Sequence, residues 1–199
     1  MDFQFIKTEM RGGVLILTMH DPPTRNALGE DMAREFISAL DRFEADSEGR
    51  VVLVTGTDPS FCSGANVRGF NKVIQEQAEQ GDEVSSLPWG SMEARFARRN
   101  LHSSLRVSDV PLRISSLQKP SIAAVNGHAV GVGMGIALAC DIRIASDKAE
   151  FSEAFVRMGL IPGDPGAHFI CNVVATVNQV HLPQLLQRHN VVLHLGRRR

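Results

Sequence analysis

The chain has 199 residues, with 21 Lys+Arg against 22 Asp+Glu and a net charge of −1. At 43% hydrophobic and 22% charged it suits one globular domain or two small ones, and excludes a disordered polymer or a basic nucleic-acid binder. Cys62, Cys140 and Cys171 are too few and too scattered for a disulfide framework or a CxxC zinc site. The amino-terminal MDFQFIKTEM lacks the pattern of a secretory signal, so a cytoplasmic protein is expected.

In chain order, residues 3–9 and 14–19 read as two strands of an antiparallel hairpin around Arg11-Gly12-Gly13. A polar loop, HDPPTRNA, follows. Met32, Phe36, Leu40 and Phe43 fall on one face at helical spacing, which predicts a helix over 31–43. Val51–Val54 is an apolar, β-branched run, a buried strand. Residues 57–69 read as a loop of small residues, 70–80 as weakly helical, and 81–91 as another loop. Residues 92–118 read as helical, interrupted at Asp109-Val110-Pro111 because proline disfavours helix at the preceding residue. Beyond the stop at Lys119-Pro120 come a strand (121–125), a turn at Asn126-Gly127, a helix (132–140) and a strand (142–145). This alternation predicts an α/β fold with right-handed crossovers. Residues 121–140 carry no charge, but Asn126 and four glycines interrupt them, so a strand–turn–helix is expected rather than a membrane span.

The turn from Gly127 to Gly135 follows a strand and opens a helix, as a dinucleotide fingerprint does. Ile136 and Leu138 stand where that fingerprint needs glycine, so it fails. What remains is a close-approach turn and a helix N-terminus whose unpaired N–H groups suit an oxyanion, or else a glycine-packed strand–helix contact. A second small-residue segment, Phe61-Cys62-Ser63-Gly64-Ala65-Asn66-Val67, follows the other buried strand. Two such loops can converge on one carbonyl oxygen. Ser63 has Phe61 rather than glycine two residues before it, so it is no nucleophile elbow.

These segments, taken in order, resemble the crotonase (enoyl-CoA hydratase/isomerase) superfamily. Asp21-Pro22-Pro23-Thr24-Arg25-Asn26-Ala27-Leu28 is similar to its N-R-P-x-x-x-N-A-L loop, and Phe61–Val67 to its F-C-x-G-A-D-L segment. Lys119–Gly127 is similar to K-P-x-I-A-A-V-N-G, Cys140-Asp141 to its C-D, and Gly159-Leu160-Ile161-Pro162-Gly163 to the next loop. The resemblance runs from about Phe3 to Asp164. It implies a spiral of ββα units, usually a homotrimer, that binds acyl-CoA thioesters and stabilises their enolates. Coenzyme A is then part of the substrate, and no separate cofactor, metal, nucleic acid or membrane is implied.

Carried over by motif, the resemblance makes the Ala65 and Val132 N–H groups the oxyanion donors. Val132 replaces the middle glycine of the family's G-G-G, which requires backbone angles that a β-branched residue accepts. Arg25, Ala27, Ala65, Asn66, Val67, Arg68 and Gly131 would line the CoA site. Arg25 and Arg68 read either as phosphate partners or as solvated surface charges. The two glutamates with which a typical hydratase activates water are absent: their positions hold Gly135 and Phe155. Two carboxylates remain as catalytic candidates. Asp164 reads as a general acid/base or as a helix N-cap before Pro165-Gly166. Glu153 reads as an acid/base or as a surface carboxylate. His128 reads as structural, and His20 shows no partner in the sequence.

From Pro165 to Arg199 there is no Asp, Glu or Lys, only four Arg and four His, so this stretch carries +4 while residues 1–164 carry −5. The break suggests a core (1–164) followed by an atypical tail (165–199) from a truncated or frame-altered gene, in place of the family's helical trimerisation region. Its valines favour strands over amphipathic helices, so irregular association is expected. His181, His189 and His194 lack a metal-site spacing. The function expected is that of an acyl-CoA-transforming enzyme of the enoyl-CoA hydratase/isomerase type. The alternative is a catalytically impaired acyl-CoA-binding or interaction protein.

Overall fold

The computed structural model describes residues 3–66 and 107–153 together with Gly166 and Phe169. β1 (Ile6–Arg11) and β2 (Val14–Met19) form the expected hairpin, with Arg11 opposite Val14. Gly12 and Gly13 take φ of 55° and 82° in its turn, angles at which a side chain would be strained. Along β2 the buried residues are Leu15, Leu17 and Met19, and along β3 (Val51–Gly56) they are Val52, Val54 and Gly56. This period of two covers one face fully and leaves Val51 and Leu53 half-buried on the other, whereas the sequence suggested a strand covered on both faces.

Helix α1 (Glu30–Ala45) buries Met32, Ala33, Phe36, Ala39, Leu40 and Phe43, the stripe its spacing foretold. Its carboxyl end is held by Lys119, whose ammonium donates to Phe43 O at 2.8 Å and Asp46 O at 2.6 Å and lies 4.8 Å from the Phe43 ring centroid. Glu44 binds the Gln118 N–H and Arg113, which also pairs with Asp41 at 2.8 Å. α2 (Asp109–Ser115) begins where the sequence suggested an interruption. Pro111 sits in the first turn, where a missing N–H costs no helical bond, so it belongs to a helix start.

The remaining elements are β4 (Ser60–Cys62), β5 (Ser121–Val125), β6 (His128–Val130), α3 (Val132–Ala139), β7 (Ile142–Ala145) and β8 (Glu150–Ser152). They form a five-stranded sheet, β1-β2-β3-β5-β7, and a three-stranded sheet, β4-β6-β8, in which every pair except the hairpin is parallel. Each pass of the chain lays one strand in the large sheet and the next in the small one: β3 then β4, β5 then β6, β7 then β8. That repeat is the spiral expected. Two of the short strands, β4 and β6, differ from the sequence reading, which placed 57–69 in a loop and Gly127–Gly135 in a turn; three residues are too few to display an alternation. One apolar cluster runs through both sheets and includes Leu17, Phe36, Val54, Phe61, Ala123 and Ile136.

Candidate functional site

β4 and β6 lie side by side and parallel, Ser60 opposite His128 and Cys62 opposite Ala129, so both strands end at the same edge of the molecule. From β4 the chain continues through Ser63, Gly64 and Ala65; from β6 it continues through Gly131 into α3. The two exits are packed against each other. A Cβ at Gly133 would lie 2.5 Å from Cys62 O, and one at Gly64, where φ is 108°, would lie 3.2 Å from Val130 O. Only glycine fits either place.

Among the described residues, each exit leaves an amide with no backbone acceptor. Leu28 N–H donates to Gly64 O at 2.8 Å and Asn66 N–H donates to Leu28 O at 3.0 Å. In such a parallel bridge the middle residue, Ala65, turns its own N–H away from Leu28. In α3, Gly131 N–H donates to Ser152 O at 2.8 Å, and the first intrahelical bond runs from Gly135 N–H to Gly131 O at 3.0 Å. Between them the N–H groups of Val132, Gly133 and Met134 have no acceptor within the helix. Gly131 has φ 50° and ψ −120°, so the unusual torsion sits at the glycine before the helix. Val132 is its first residue and takes helical angles, which a β-branched side chain accepts. The apparent conflict of Val132 with the G-G-G pattern disappears.

The loop after β2 forms the opposite wall. Arg25 and Asn26 are consecutive left-handed residues, with φ of 58° and 60°. Such angles persist where surrounding bonds impose them. Here the fully buried Asn26 donates from Nδ2 to Thr57 O and Ser60 O at 2.7 Å each, while its Oδ1 accepts from Asp21 N–H at 3.0 Å. Ser63 N–H donates to Arg25 O at 3.1 Å and Ser63 Oγ to Thr24 O at 2.8 Å, so Ser63 is a brace, in keeping with its rejection as a nucleophile. These bonds frame a cleft of about 320 Å³ lined by Pro23, Thr24, Arg25, Ala27, Ser63, Ala65 and Asn66. The structure thus gathers Arg25, Ala27, Ala65 and Asn66 around one opening, with the Arg25 side chain exposed at it. Gly131 and Val132 stand at the adjoining strand end, outside that wall. A second hollow of about 200 Å³ shares Ala27 and Asn66 but is bordered by Asp21, Glu30 and Asp31. Charge therefore changes sign across Ala27.

Glu153 directly follows β8, and both of its carboxylate oxygens are shielded from solvent, which overturns its reading as a surface carboxylate. At Gly135, buried in α3, a Cβ would lie 3.6 Å from Pro111 Cγ and 3.7 Å from Gly166 Cα, so the helix offers no titratable group there. Val67, Arg68, Phe155, Asp164 and the tail apart from Gly166 and Phe169, with His181, His189 and His194, lie outside the described residues. Burial pushes the Cys62 thiol up to about 11 and the Cys140 thiol up to about 12, so both are inert at neutral pH. Among the described residues no cluster of His, Cys, Asp and Glu could hold a metal, and no helix is long and apolar enough to cross a membrane.

Several motif residues prove to be braces. Asp141 accepts from Ser121 N–H and Ser121 Oγ, both at 2.8 Å, and so ties the start of β7 to the start of β5. Asn126 Nδ2 donates to Asp58 Oδ1 at 2.9 Å. His20, without an evident partner in the sequence, has Thr57 Oγ1 2.9 Å from its Nδ1, and His128 Nδ1 lies 3.2 Å from Glu150 Oε2. The roles of Asn26 and Asn126 were not foreseen. For Asn126 the available signal was polarity, since it interrupts an otherwise apolar, small-residue stretch; Asn26, in a polar loop, gave none.

The model of the enoyl-CoA hydratase/isomerase family matches residues 9–179, continuing past Asp164, where the motifs had been read as ending. A probable enoyl-CoA hydratase from Mycobacterium tuberculosis is 35% identical over 150 residues, covering 75% of this chain and 50% of that protein. The short-chain-enoyl-CoA hydratase of Clostridium acetobutylicum is 31% identical over 87% of this chain and 59% of its own length. Among solved structures, an enoyl-CoA hydratase from Polaromonas superposes with a TM-score of 0.66 at 29% identity, covering 94% of this chain and 68% of that one. The chain spans about half the length of the first curated relatives it matches. It belongs to the enoyl-CoA hydratase/isomerase family, and its fold is the crotonase spiral.

Proposed function

We propose that this family member binds acyl-CoA thioesters and stabilises a thioester enolate between the N–H groups of Ala65 and Val132. The observation that carries the reading is the common ending of β4 and β6, where each strand exit leaves an amide with no backbone acceptor among the described residues. Removing a proton from C2 of a thioester moves negative charge onto the carbonyl oxygen. Fixed backbone donors there need no reorganisation as that charge develops, and one donor of this kind is typically worth about 3–4 kcal/mol. Arg25 supports the same reading, because an exposed guanidinium at the cleft suits the phosphates of the CoA nucleotide. The carboxylates bordering the neighbouring hollow disfavour phosphate on that side. The names of the similar proteins, enoyl-CoA hydratases from Mycobacterium and Clostridium, agree with this substrate class.

Gly135 favours a second reading, a catalytically impaired acyl-CoA binder, because this turn of α3 lacks the carboxylate that hydration by a glutamate pair requires. Calorimetric titration with butyryl-CoA and octanoyl-CoA tests the binding that both readings share. Saturable binding is expected, weakened roughly tenfold in Arg25→Ala. No binding by folded protein would discard both. Turnover of crotonyl-CoA or 3-hexenoyl-CoA then separates enzyme from binder.

A further inference from the structure

We propose that Asn26 is a positioning residue that aims the Ala65 N–H at the carbonyl oxygen of the thioester, an assignment that rests on the enolate reading above. The two donors of that reading are held in different ways. The Val132 N–H belongs to a peptide whose carbonyl, Gly131 O, accepts the first bond of α3, so the helix itself fixes it. Ala65 lies outside every helix and strand given above, and meets Leu28 across an isolated parallel bridge.

Residues 25–28 form the rail to which residues 63–66 are tied. Ser63 N–H donates to Arg25 O at 3.1 Å, Leu28 N–H to Gly64 O at 2.8 Å and Asn66 N–H to Leu28 O at 3.0 Å. Gly64 O and Ala65 N–H are opposite ends of one planar trans peptide, so pinning the carbonyl to Leu28 turns the N–H the other way. The rail in turn is bolted down by Asn26. Its Nδ2 donates to Thr57 O, just past β3, and to Ser60 O, at the start of β4, while its Oδ1 accepts from Asp21 N–H. One buried side chain thus joins the rail to the corner from which the Ala65 loop departs.

The backbone shows that more is fixed here than a loop closure. Left-handed torsions at two consecutive residues other than glycine, Arg25 and Asn26, persist only where surroundings impose them, and such strain gathers at working sites. Arg25 and Ala27 line the cleft on either side of Asn26, but Asn26 itself is fully buried and does not line it. It touches no substrate and acts through Leu28 and Gly64. A buried amide with its donors and acceptor all engaged rigidifies what it joins, which suits a group whose task is aim.

The test is isotope-edited infrared spectroscopy of carbonyl-¹³C-labelled butyryl-CoA bound to the full chain. Hydrogen bonds to the carbonyl oxygen lower its stretching frequency, so the band reports how well the donors are aimed. Wild-type protein is expected to lower the band relative to free butyryl-CoA. Asn26→Gly accepts the left-handed torsion but lacks the amide. It should lose most of that lowering while affinity falls by no more than about fivefold, the worth of one neutral hydrogen bond. Leu17→Ala, which weakens the large sheet, should keep the wild-type band, so lost stability alone does not move the readout. Should Asn26→Gly fail to fold by circular dichroism, or fail to bind, Ser63→Ala decides. It removes the bond from Ser63 Oγ to Thr24 O, beside the rail, and should lose part of the lowering. A wild-type band in the variant that is read, or an equal loss in Leu17→Ala, overturns the positioning role and leaves the enolate reading standing. Wild-type protein that binds butyryl-CoA without lowering the band, or binds no acyl-CoA, overturns both.

Discussion

The two sheets are built on different physics. In the large sheet, strands of four to six residues carry Leu15, Leu17, Met19, Val52, Val54, Ala123 and Val125 into the core, and side-chain burial holds them. In the small sheet, three strands of three residues each depend on backbone closeness. A Cβ at Gly56 would lie 2.2 Å from Phe61 O, and one at Gly127 would lie 2.2 Å from Pro59 O. Asn26 braces this corner through backbone carbonyls. The site hangs on the second kind of sheet. A surface that presents bare amides, as proposed above, cannot also be covered by large side chains, so on that reading scaffold and site divide between the two.

Three changes probe this division, beginning with the largest expected effect. Leu17→Ala, at a fully buried point of the large sheet, should cost about 2–5 kcal/mol in urea unfolding while acyl-CoA affinity at temperatures below the melt stays near wild type. Equal losses of stability and affinity would show that the sheets are not separable. Gly133→Ala should cost less stability, about 1–3 kcal/mol, but more affinity, because the added methyl pushes α3 away from Cys62 and carries the Val132 N–H with it. Titration calorimetry beside the unfolding curve distinguishes the two patterns.

The smallest effect lies away from both sheets. The Gln118 N–H first, and Arg113 next, hold the Glu44 carboxyl below its ordinary range. A carboxyl depressed in the folded state stabilises above its unfolded pKa and loses that contribution as pH falls through the folded value. Glu44→Gln should therefore melt slightly below wild type at pH 7 and match it in strong acid. A gap that persists in acid would mean that the glutamine disturbs the α1–α2 clamp by shape rather than charge.

The same division explains what was legible in the residues. The hairpin, α1, β3, β5, α3 and β7 all announce themselves, because each has enough residues for a period of two or of 3.6 to show. β4 and β6 do not: Ser60 and His128 become neighbours only after the chain has passed through a long excursion, and nothing local in either triplet records it. The two amides are assigned only through resemblance to the family's motifs, while the burial of Glu153 was hidden because the packing around one carboxylate is a tertiary property. Lys119 and Asp141 belong to recognisable motifs, yet their work is to fasten α1 and β5, which a motif match alone does not reveal.

The spiral also dictates an order of events in folding. Among the described residues the β1–β2 hairpin is the one strand pair closed by a tight turn; β2–β3, β3–β5, β5–β7 and both small-sheet pairs each close a long loop. Parallel pairings of this kind must meet their loop-closure entropy before any contact compensates it, which makes them slow. The hairpin can form while the rest is still a coil, but the Ala65 and Val132 amides come together only once β4 and β6 have found each other across the longest of these gaps. The joining of β4 and β6 should therefore be the last feature to return on refolding, trailing the recovery of secondary structure.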